Sequence, residues 1–183
     1  MIFLKGRRMK MNYKIEAIKI LLNTDCVLTR YYSLIPYKEK LVNNLIELGC
    51  TTKDECLKLD DELLIKSGLP NIEDVRLFKS FLNIYDINKS KFKEINTFCT
   101  SKEEENAFYQ LYLLPGIKKT RATLYYKSGY DTLKVIANSS AEEIIFKISG
   151  TIDRDNLELK VPLLKEVKTH IAVAKAFSLY SVE

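Results

Sequence analysis

Apolar residues recur at intervals of three and four along most of the chain, which is the period of amphipathic α-helices. After Pro162, for example, the apolar positions are Leu163, Val167, Ile171, Ala174 and Phe177. The pattern predicts helices over residues 13–30, 37–48, 52–57, 60–66, 71–82, 101–113, 118–128, 132–137 and 140–148, and a last helix that begins at about residue 162. The fold is therefore predicted to be all-α.

Polar residues and glycines mark the ends of these predicted helices. Ser101 with Glu104, and Ser140 with Glu143, have the spacing of capping boxes at helix starts. The predicted stops are Gly49, Gly68, Gly129 and Gly150, and Pro36 breaks the pattern after the first helix. Residues 88–100 are polar and irregular and are predicted to join two halves of the chain. Residues 151–160 are predicted to form a loop.

The two halves share the positions of their helix ends. Four features of the first half, Gly49, Thr52, Asp61–Glu62 and Leu64–Ile65, lie 80 residues before Gly129, Thr132, Ala141–Glu142 and Ile144–Ile145. Pro36 and Pro115 precede the two sets at almost the same offset. This agreement predicts duplication of a small helical unit, with chance similarity of two short-helix segments as the alternative.

Composition agrees with a helical, globular chain. Of the 183 residues, 46% are apolar and 29% are charged, which provides a core and excludes disorder for most of the chain. With only 6 Gly and 4 Pro, an all-β sandwich is a poor fit. No apolar run approaches the roughly 18 residues that a membrane-spanning helix needs.

The sequence predicts no metal, no cofactor and no catalytic residue. Its four cysteines, Cys26, Cys50, Cys56 and Cys99, form no C-x-x-C pair, and His170 is the single histidine, so a zinc site is not expected. His170 lies one residue off the apolar stripe of the last helix and is predicted to be structural and half-exposed. The glycine motifs of nucleotide-binding enzymes are missing, so we expect a protein that is not an enzyme.

The beginning of the chain lacks the pattern of a secretory signal. Lys5, Arg7, Arg8 and Lys10 interrupt the apolar start before a hydrophobic region can form. We therefore expect a cytoplasmic protein with free thiols. Translation that starts at Met9 or Met11 would make residues 1–8 a dispensable leader.

The net charge of +5, from 29 Lys and Arg against 24 Asp and Glu, is mild, but the positive charge is locally concentrated. Between Pro115 and Lys127 the cations are Lys118, Lys119, Arg121 and Lys127, and the segment contains no acid. A solvated helix face is the ordinary explanation of such a cluster. Contact with a nucleic acid or an acidic partner is the functional one.

Residues 113–124 resemble the helix-hairpin-helix motif, in which a glycine-containing turn joins two closely packed helices. Gly116, Ile117 and Ala122 match the motif, whereas Lys118 stands where the second glycine is expected. Free N–H groups at the start of the second helix, together with the helix dipole, favour an anion at such a turn. The candidate phosphate-binding residues are Gly116, Ile117, Lys118, Lys119, Thr120 and Arg121.

The corresponding turn of the first half, residues 34–38, has neither glycine and is predicted to be structural only. In the basic helix of the second half, Tyr125 and Tyr126 point about 100° apart. Either could stack on a base of single-stranded nucleic acid. Tyr125, whose counterpart in the first half is Leu45, is predicted to be the buried one.

From about Leu34 to Tyr180 the chain is similar to a bacterial and archaeal family of tandem helix-hairpin-helix proteins, number 4332 among the domains of unknown function. The residues that carry the resemblance lie in the segments 114–117, 128–138, 140–144, 161–167 and 172–175. The resemblance implies two degenerate, SAM-like helix-hairpin-helix units in one compact helical protein. It also implies nucleic-acid binding, and it brings no established activity.

These observations divide the chain into four segments. Residues 1–30 are a leader and a bracing helix, 31–87 the first degenerate unit, 88–100 the joint, and 101–183 the second unit with the carboxy-terminal helix. The leading hypothesis is weak, sequence-independent binding of a DNA or RNA backbone through residues 116–121. The second hypothesis is a protein-interaction or scaffold domain without a nucleic-acid role.

Overall fold

The computed structural model describes residues 10–23 and 27–182 and is a compact all-α structure. The leader 1–8 and Cys26 lie outside the described residues. Within them the α-helices are α1 (Ala17–Leu21), α2 (Lys38–Glu47), α3 (Lys53–Cys56), α4 (Asp61–Lys66), α5 (Ile72–Leu82), α6 (Lys89–Phe98), α7 (Lys102–Leu111), α8 (Lys119–Lys127), α9 (Leu133–Asn138), α10 (Ala141–Arg154) and α11 (Leu164–Tyr180). A 3-10 helix covers Thr29–Tyr37. None of these helices has the length and apolar character needed to cross a bilayer.

Side-chain caps fix most of the helix starts that the sequence predicts. Thr52 and Glu55 form a complete capping box at α3. Asp60, Asn71, Ser101, Thr132 and Ser140 each accept a hydrogen bond from the backbone three residues ahead, at the starts of α4, α5, α7, α9 and α10. These bonds satisfy N–H groups that have no partner within the helix. The predictions for these helix starts are therefore confirmed.

The predicted first helix over 13–30 is wrong, because among the described residues of this range, 13–23 and 27–30, only Ala17–Leu21 is α-helical. Backbone N–H groups before it bond to distant segments instead. Lys14 N donates to Tyr180 O at 2.7 Å and Ile15 N to Thr51 O at 2.9 Å. Tertiary hydrogen bonds therefore pair this segment with distant parts of the chain, despite its helical spacing of apolar residues.

The segment around Pro36 also differs from the prediction. Pro36 lies inside the 3-10 helix Thr29–Tyr37, which runs directly into α2, so it does not separate two α-helices. Tyr31 and Leu34 are the buried side chains of this 3-10 helix.

Residues 88–100 are not irregular, because they contain α6, whereas their role as a joint between two halves stays a prediction. Asn88 caps this helix by accepting a hydrogen bond from Lys91 N. Phe92 stacks on Tyr109 of α7 with ring centroids 5.2 Å apart, and Phe98 contacts Phe108 edge-on at 5.0 Å. The apolar residues of α6 therefore pack on α7, although most of its other residues are polar.

Gly150 does not end α10, which continues to Arg154 and takes in the first four residues of the predicted loop 151–160. Ile148 and Thr151, three positions apart, are both buried. Ser128 Oγ donates to Thr151 Oγ1 at 3.0 Å. Packing and this hydrogen bond hold the helix together across a glycine that does not need a left-handed conformation.

One buried core extends through both halves of the chain. Phe177 of α11 contacts Tyr85, which follows α5, at 5.1 Å between ring centroids, and Tyr13 at 5.6 Å. Phe81 of α5 continues this aromatic cluster to Tyr31 at 5.6 Å. The carboxy-terminal helix is therefore packed into the core of the first half.

The segment before α1 contacts both halves at once. Tyr13 forms an antiparallel bridge with Ser181, and Lys14 forms one with Thr52. Below this segment the buried Lys53 ammonium lies 2.6 Å from Asp86 Oδ1 and donates to Met11 O at 3.0 Å. Met11 N donates to the same Asp86 oxygen at 3.0 Å.

The ends of α2 and α8 have the same backbone hydrogen bonds at an offset of 80 residues. Gly49 N donates to Ile46 O as Gly129 N donates to Tyr126 O. Cys50 N donates to Leu45 O as Tyr130 N donates to Tyr125 O. Both glycines have a positive φ, +78° and +84°, which ends each helix in the left-handed region.

Candidate nucleic-acid interface

In the turn between α7 and α8, the exposed Gly116 lies between buried apolar residues. Leu113, Leu114 and Ile117 are 5%, 2% and 2% exposed. Gly116 between them is exposed and has φ +75°, a conformation that side-chain-bearing residues rarely adopt. A β-carbon on Gly116 would meet nothing within 4 Å, so the backbone of this turn is open to an approaching group.

His170 fastens this turn to α11. Its Nε2 lies 2.9 Å from Pro115 O, and its Nδ1 lies 2.8 Å from the Tyr125 hydroxyl. A carbonyl only accepts, so Nε2 carries the proton, and Nδ1 accepts from Tyr125. His170 is fully buried, so the prediction of half exposure is wrong, and the prediction that Tyr125 is buried is confirmed.

The amino-terminal end of α8 has no side-chain cap. Lys118 occupies the N-cap position in an extended conformation, and its side chain accepts no hydrogen bond. The first turn contains no acidic residue. Lys118, Lys119 and Thr120 are exposed. The first N–H groups of α8 and two lysine side chains therefore lie at one exposed end of a helix, where the dipole favours an anion.

The structure separates the sequence-predicted site residues into two groups. Gly116, Lys118, Lys119 and Thr120 are exposed at the turn. Ile117 is buried, and its N–H donates to Leu114 O at 3.3 Å, so it anchors the turn and does not face solvent.

Arg121 is the other member of the predicted site that is already engaged. Its Nε lies 3.2 Å from Glu166 Oε1, and its Nη1 donates to Lys160 O at 2.9 Å. Lys127, at the far end of α8, is 3.2 Å from Asp155 Oδ2. Among the described side chains, Lys118 and Lys119 are thus the two cations of the segment 115–127 without an ion pair.

The equivalent turn of the first half offers no such end. There the 3-10 helix continues into α2, and Lys38 N donates to Ile35 O. At the start of α2, at least one backbone N–H group is therefore hydrogen-bonded within the chain, whereas the start of α8 has no side-chain cap. That the first turn is structural only stays a prediction.

Sequence analysis missed the contribution of α6 to this surface. Lys93 and Phe98 of α6 and Lys119 of α8 line the same shallow pocket. The Lys119 ammonium lies over the Phe98 ring, 4.6 Å from its centroid. The signal was present in Asn88 as an N-cap and in the spacing of the aromatic residues 92 and 98. It was outweighed by the polar composition of the segment.

The described residues also define where reactive side chains lie. They contain no cluster of three or more His, Cys, Asp or Glu placed to hold a metal ion. Cys50, Cys56 and Cys99 are free. Burial, with a smaller effect of Glu104 and Glu105, raises the pKa of Cys99 to about 11, so this thiol stays protonated and is a weak nucleophile at neutral pH.

Comparison with known proteins gives no match: no family model, no curated protein and no solved structure resembles the chain significantly.

Proposed function

We propose that this protein binds the sugar–phosphate backbone of nucleic acid, DNA in the first place, weakly and without sequence preference. The observation that carries the proposal is the exposed, uncapped start of α8 with Lys118 and Lys119 beside it. A phosphate at that position would accept hydrogen bonds from backbone N–H groups and be attracted by both ammonium groups. The proposal is binding, not catalysis.

Lysines of α6 add positive charge near the start of α8. Lys93 lies on the same pocket as Lys119, and Lys89 is one helical turn before Lys93 on α6. Phosphates that follow one another along a strand would meet these cations in succession. The affinity should therefore fall steeply as salt increases.

We also propose that the two halves of the chain are degenerate copies of one helix-hairpin-helix unit, as in the tandem helix-hairpin-helix family that the sequence resembles. The equivalent hydrogen bonds at the ends of α2 and α8 support this proposal, as do the caps Thr52 and Thr132 at the same offset. A cytoplasmic location is part of the same proposal, supported by the free thiols.

The test is a fluorescence-anisotropy titration of single-stranded DNA, duplex DNA and RNA at two salt concentrations. In the variant Lys118→Glu plus Lys119→Glu we expect the affinity at low salt to fall by at least about tenfold, and the salt slope to decrease by about 2. Both effects follow from the loss of two phosphate contacts.

The matched control is Lys58→Glu plus Lys66→Glu, which makes the same change in net charge at two exposed lysines of the first half. This control should keep most of the affinity. If both double variants bind equally well, the turn between α7 and α8 is not the site. If the wild-type protein binds no oligonucleotide at low salt, the proposed function is wrong.

A protein-interaction role is the second candidate, favoured by exposed apolar side chains on the last two helices and just before the last one. Phe146 is 79%, Leu163 75% and Leu179 67% exposed. Side chains of this kind are common at protein interfaces. Binding to a protein partner through them would be insensitive to salt, which distinguishes the two candidates.

A further inference from the structure

A shallow pocket of about 380 Å³ lies between α6 and the start of α8, next to the exposed turn. Its lining residues are Ser90, Lys93, Glu94, Thr97, Phe98 and Lys119. Four of these residues, at positions 90, 93, 94 and 97, follow one face of α6. The pocket is therefore built by one helix face and closed at one side by the first residue of α8.

Phe98 supplies an aromatic surface in this pocket. It is half-buried, with its ring in edge contact with Phe108 at 5.0 Å and interplanar angle 66°. The exposed Lys119 ammonium lies over the ring at 4.6 Å from the centroid. The group over the ring there is a flexible lysine chain, and because an exposed cation–π contact contributes only about 0.5–1 kcal/mol, another planar group can displace it.

The charges around the pocket favour a polyanion with planar groups. Lys93 and Lys119 line it and are exposed, and Lys118, also exposed, precedes Lys119 in the chain. The one carboxylate of the lining, Glu94, also interacts with Tyr112, which follows α7. Burial raises the pKa of Tyr112, and Glu94 raises it further. Within the lining, one carboxylate therefore faces two lysines.

We propose that this pocket takes one unpaired base of a single-stranded nucleic acid, stacked on Phe98, while the adjoining phosphate lies at the start of α8. This inference rests on the proposed function and narrows its ligand class. In a duplex both faces of each base are covered by neighbouring base pairs, so a duplex cannot fill the pocket without unpairing. A preference for single strands follows.

The test compares a thymidine oligonucleotide with an abasic oligonucleotide of the same length and phosphate number. We expect the wild-type protein to bind the base-bearing strand about fivefold or more tightly, the low end of base–aromatic stacking. Phe98→Leu keeps an apolar side chain against Phe108 and should lose this preference, with unchanged binding of the abasic strand. Phe98→Tyr should retain the preference.

Phe92→Leu is the matched control, because Phe92 is also a half-buried aromatic residue of α6 but lies outside the pocket. This variant should keep the preference. If it loses the preference as Phe98→Leu does, the effect comes from the packing of α6, and the pocket is not the base site.

Equal affinity of the wild-type protein for both oligonucleotides would overturn the stacking inference and leave backbone binding intact. No binding of either strand at low salt would overturn the proposed function, and this inference with it.

Discussion

At the scale of single residues, His170 connects three parts of the second half. It is the single histidine of the chain, and it joins Pro115 in the turn, Tyr125 in α8 and the backbone of α11. Both ring nitrogens are used, one as donor and one as acceptor. Burial favours the neutral ring, in which Nε2 donates to Pro115 O and Nδ1 accepts from the Tyr125 hydroxyl.

The neutral state of His170 gives a pH dependence of stability. Burial lowers the pKa of His170 below its ordinary value, which the bond to Pro115 only partly opposes. The unfolded chain therefore binds a proton more readily than the folded one. The stability contributed by the neutral ring is complete above about pH 6.5 and is lost as pH falls from there towards the lower folded pKa.

We expect the free energy of unfolding, measured by urea denaturation, to fall between about pH 7.5 and about pH 5.5. In His170→Gln the protein should be less stable at the upper pH, but the fall should be smaller. Since the chain has no other histidine, the difference between the two profiles reports this side chain alone. Parallel profiles would show that His170 is not held neutral by the fold.

Sequence reasoning placed His170 close to the apolar stripe of the last helix but could not establish its burial. Its partners are 55 and 45 residues away in the chain. Helical spacing describes one helix at a time. It does not show which other elements pack against residues at the edge of the apolar stripe. The same reason explains why Arg121 was predicted to bind phosphate. Its partners Glu166 and Lys160 are distant in the chain, and the sequence pattern does not show that they face it.

At the scale of elements, two glycines that look alike in the sequence have different roles. Gly129 ends α8 with φ +84°, whereas Gly150 lies within α10. Neither has an atom within 4 Å of an added β-carbon, so sterics outside the backbone do not distinguish them. Backbone conformation alone decides the effect of a substitution.

We expect Gly129→Ala to destabilise the protein by about 1–2 kcal/mol, because alanine is strained in the left-handed region. Gly150→Ala should stabilise it by about 0.5–1 kcal/mol, because alanine is the better residue inside a helix. Thermal or urea denaturation of the two variants checks both signs. A destabilising Gly150→Ala would contradict the continuous α10.

The elements that sequence analysis identified best are those with local signals. Thr52, Asp60, Asn71 and Ser101 mark their helices because cap and first turn are within three residues. Helix α6 has such a cap in Asn88 too, but its remaining pattern is polar. The role of its aromatic residues Phe92 and Phe98 is seen only in their contacts with Tyr109 and Phe108 of α7.

At the scale of the whole molecule, the buried pair of Lys53 and Asp86 fixes the segment before α1. The ammonium and the carboxylate are 2.6 Å apart, with side chains 0% and 2% exposed. Met11 contributes its carbonyl to the lysine and its N–H to the carboxylate. The same segment bridges Thr52 and Ser181, so it links the first half to the end of α11.

Removal of one partner of this pair should therefore be costly. We expect Asp86→Ala to destabilise the protein by about 3 kcal/mol or more, because it leaves the Lys53 charge buried without its counter-ion. Urea denaturation followed by circular dichroism measures the change.

The control is Glu39→Ala, which breaks the ion pair with Lys19. Glu39 is 63% and Lys19 32% exposed. Because water screens such a pair, we expect a loss of less than about 1 kcal/mol. Equal effects of Asp86→Ala and Glu39→Ala would show that the inner pair is solvated and does not hold the segment in place.

The sequence by itself determined the all-α class, most helix starts and the turn at Gly116. These features depend on residues within a few positions of one another, so local patterns are sufficient to specify them. Tertiary structure alone decided that Tyr13 and Lys14 pair with distant segments, that α10 continues past Gly150, and that His170 is buried. It also decided that, among the described residues, Lys118 and Lys119 of the segment 115–127 have no ion pair, and that the Phe98 ring lies beside Lys119. Each depends on groups that are distant in the chain, and only packing brings them together.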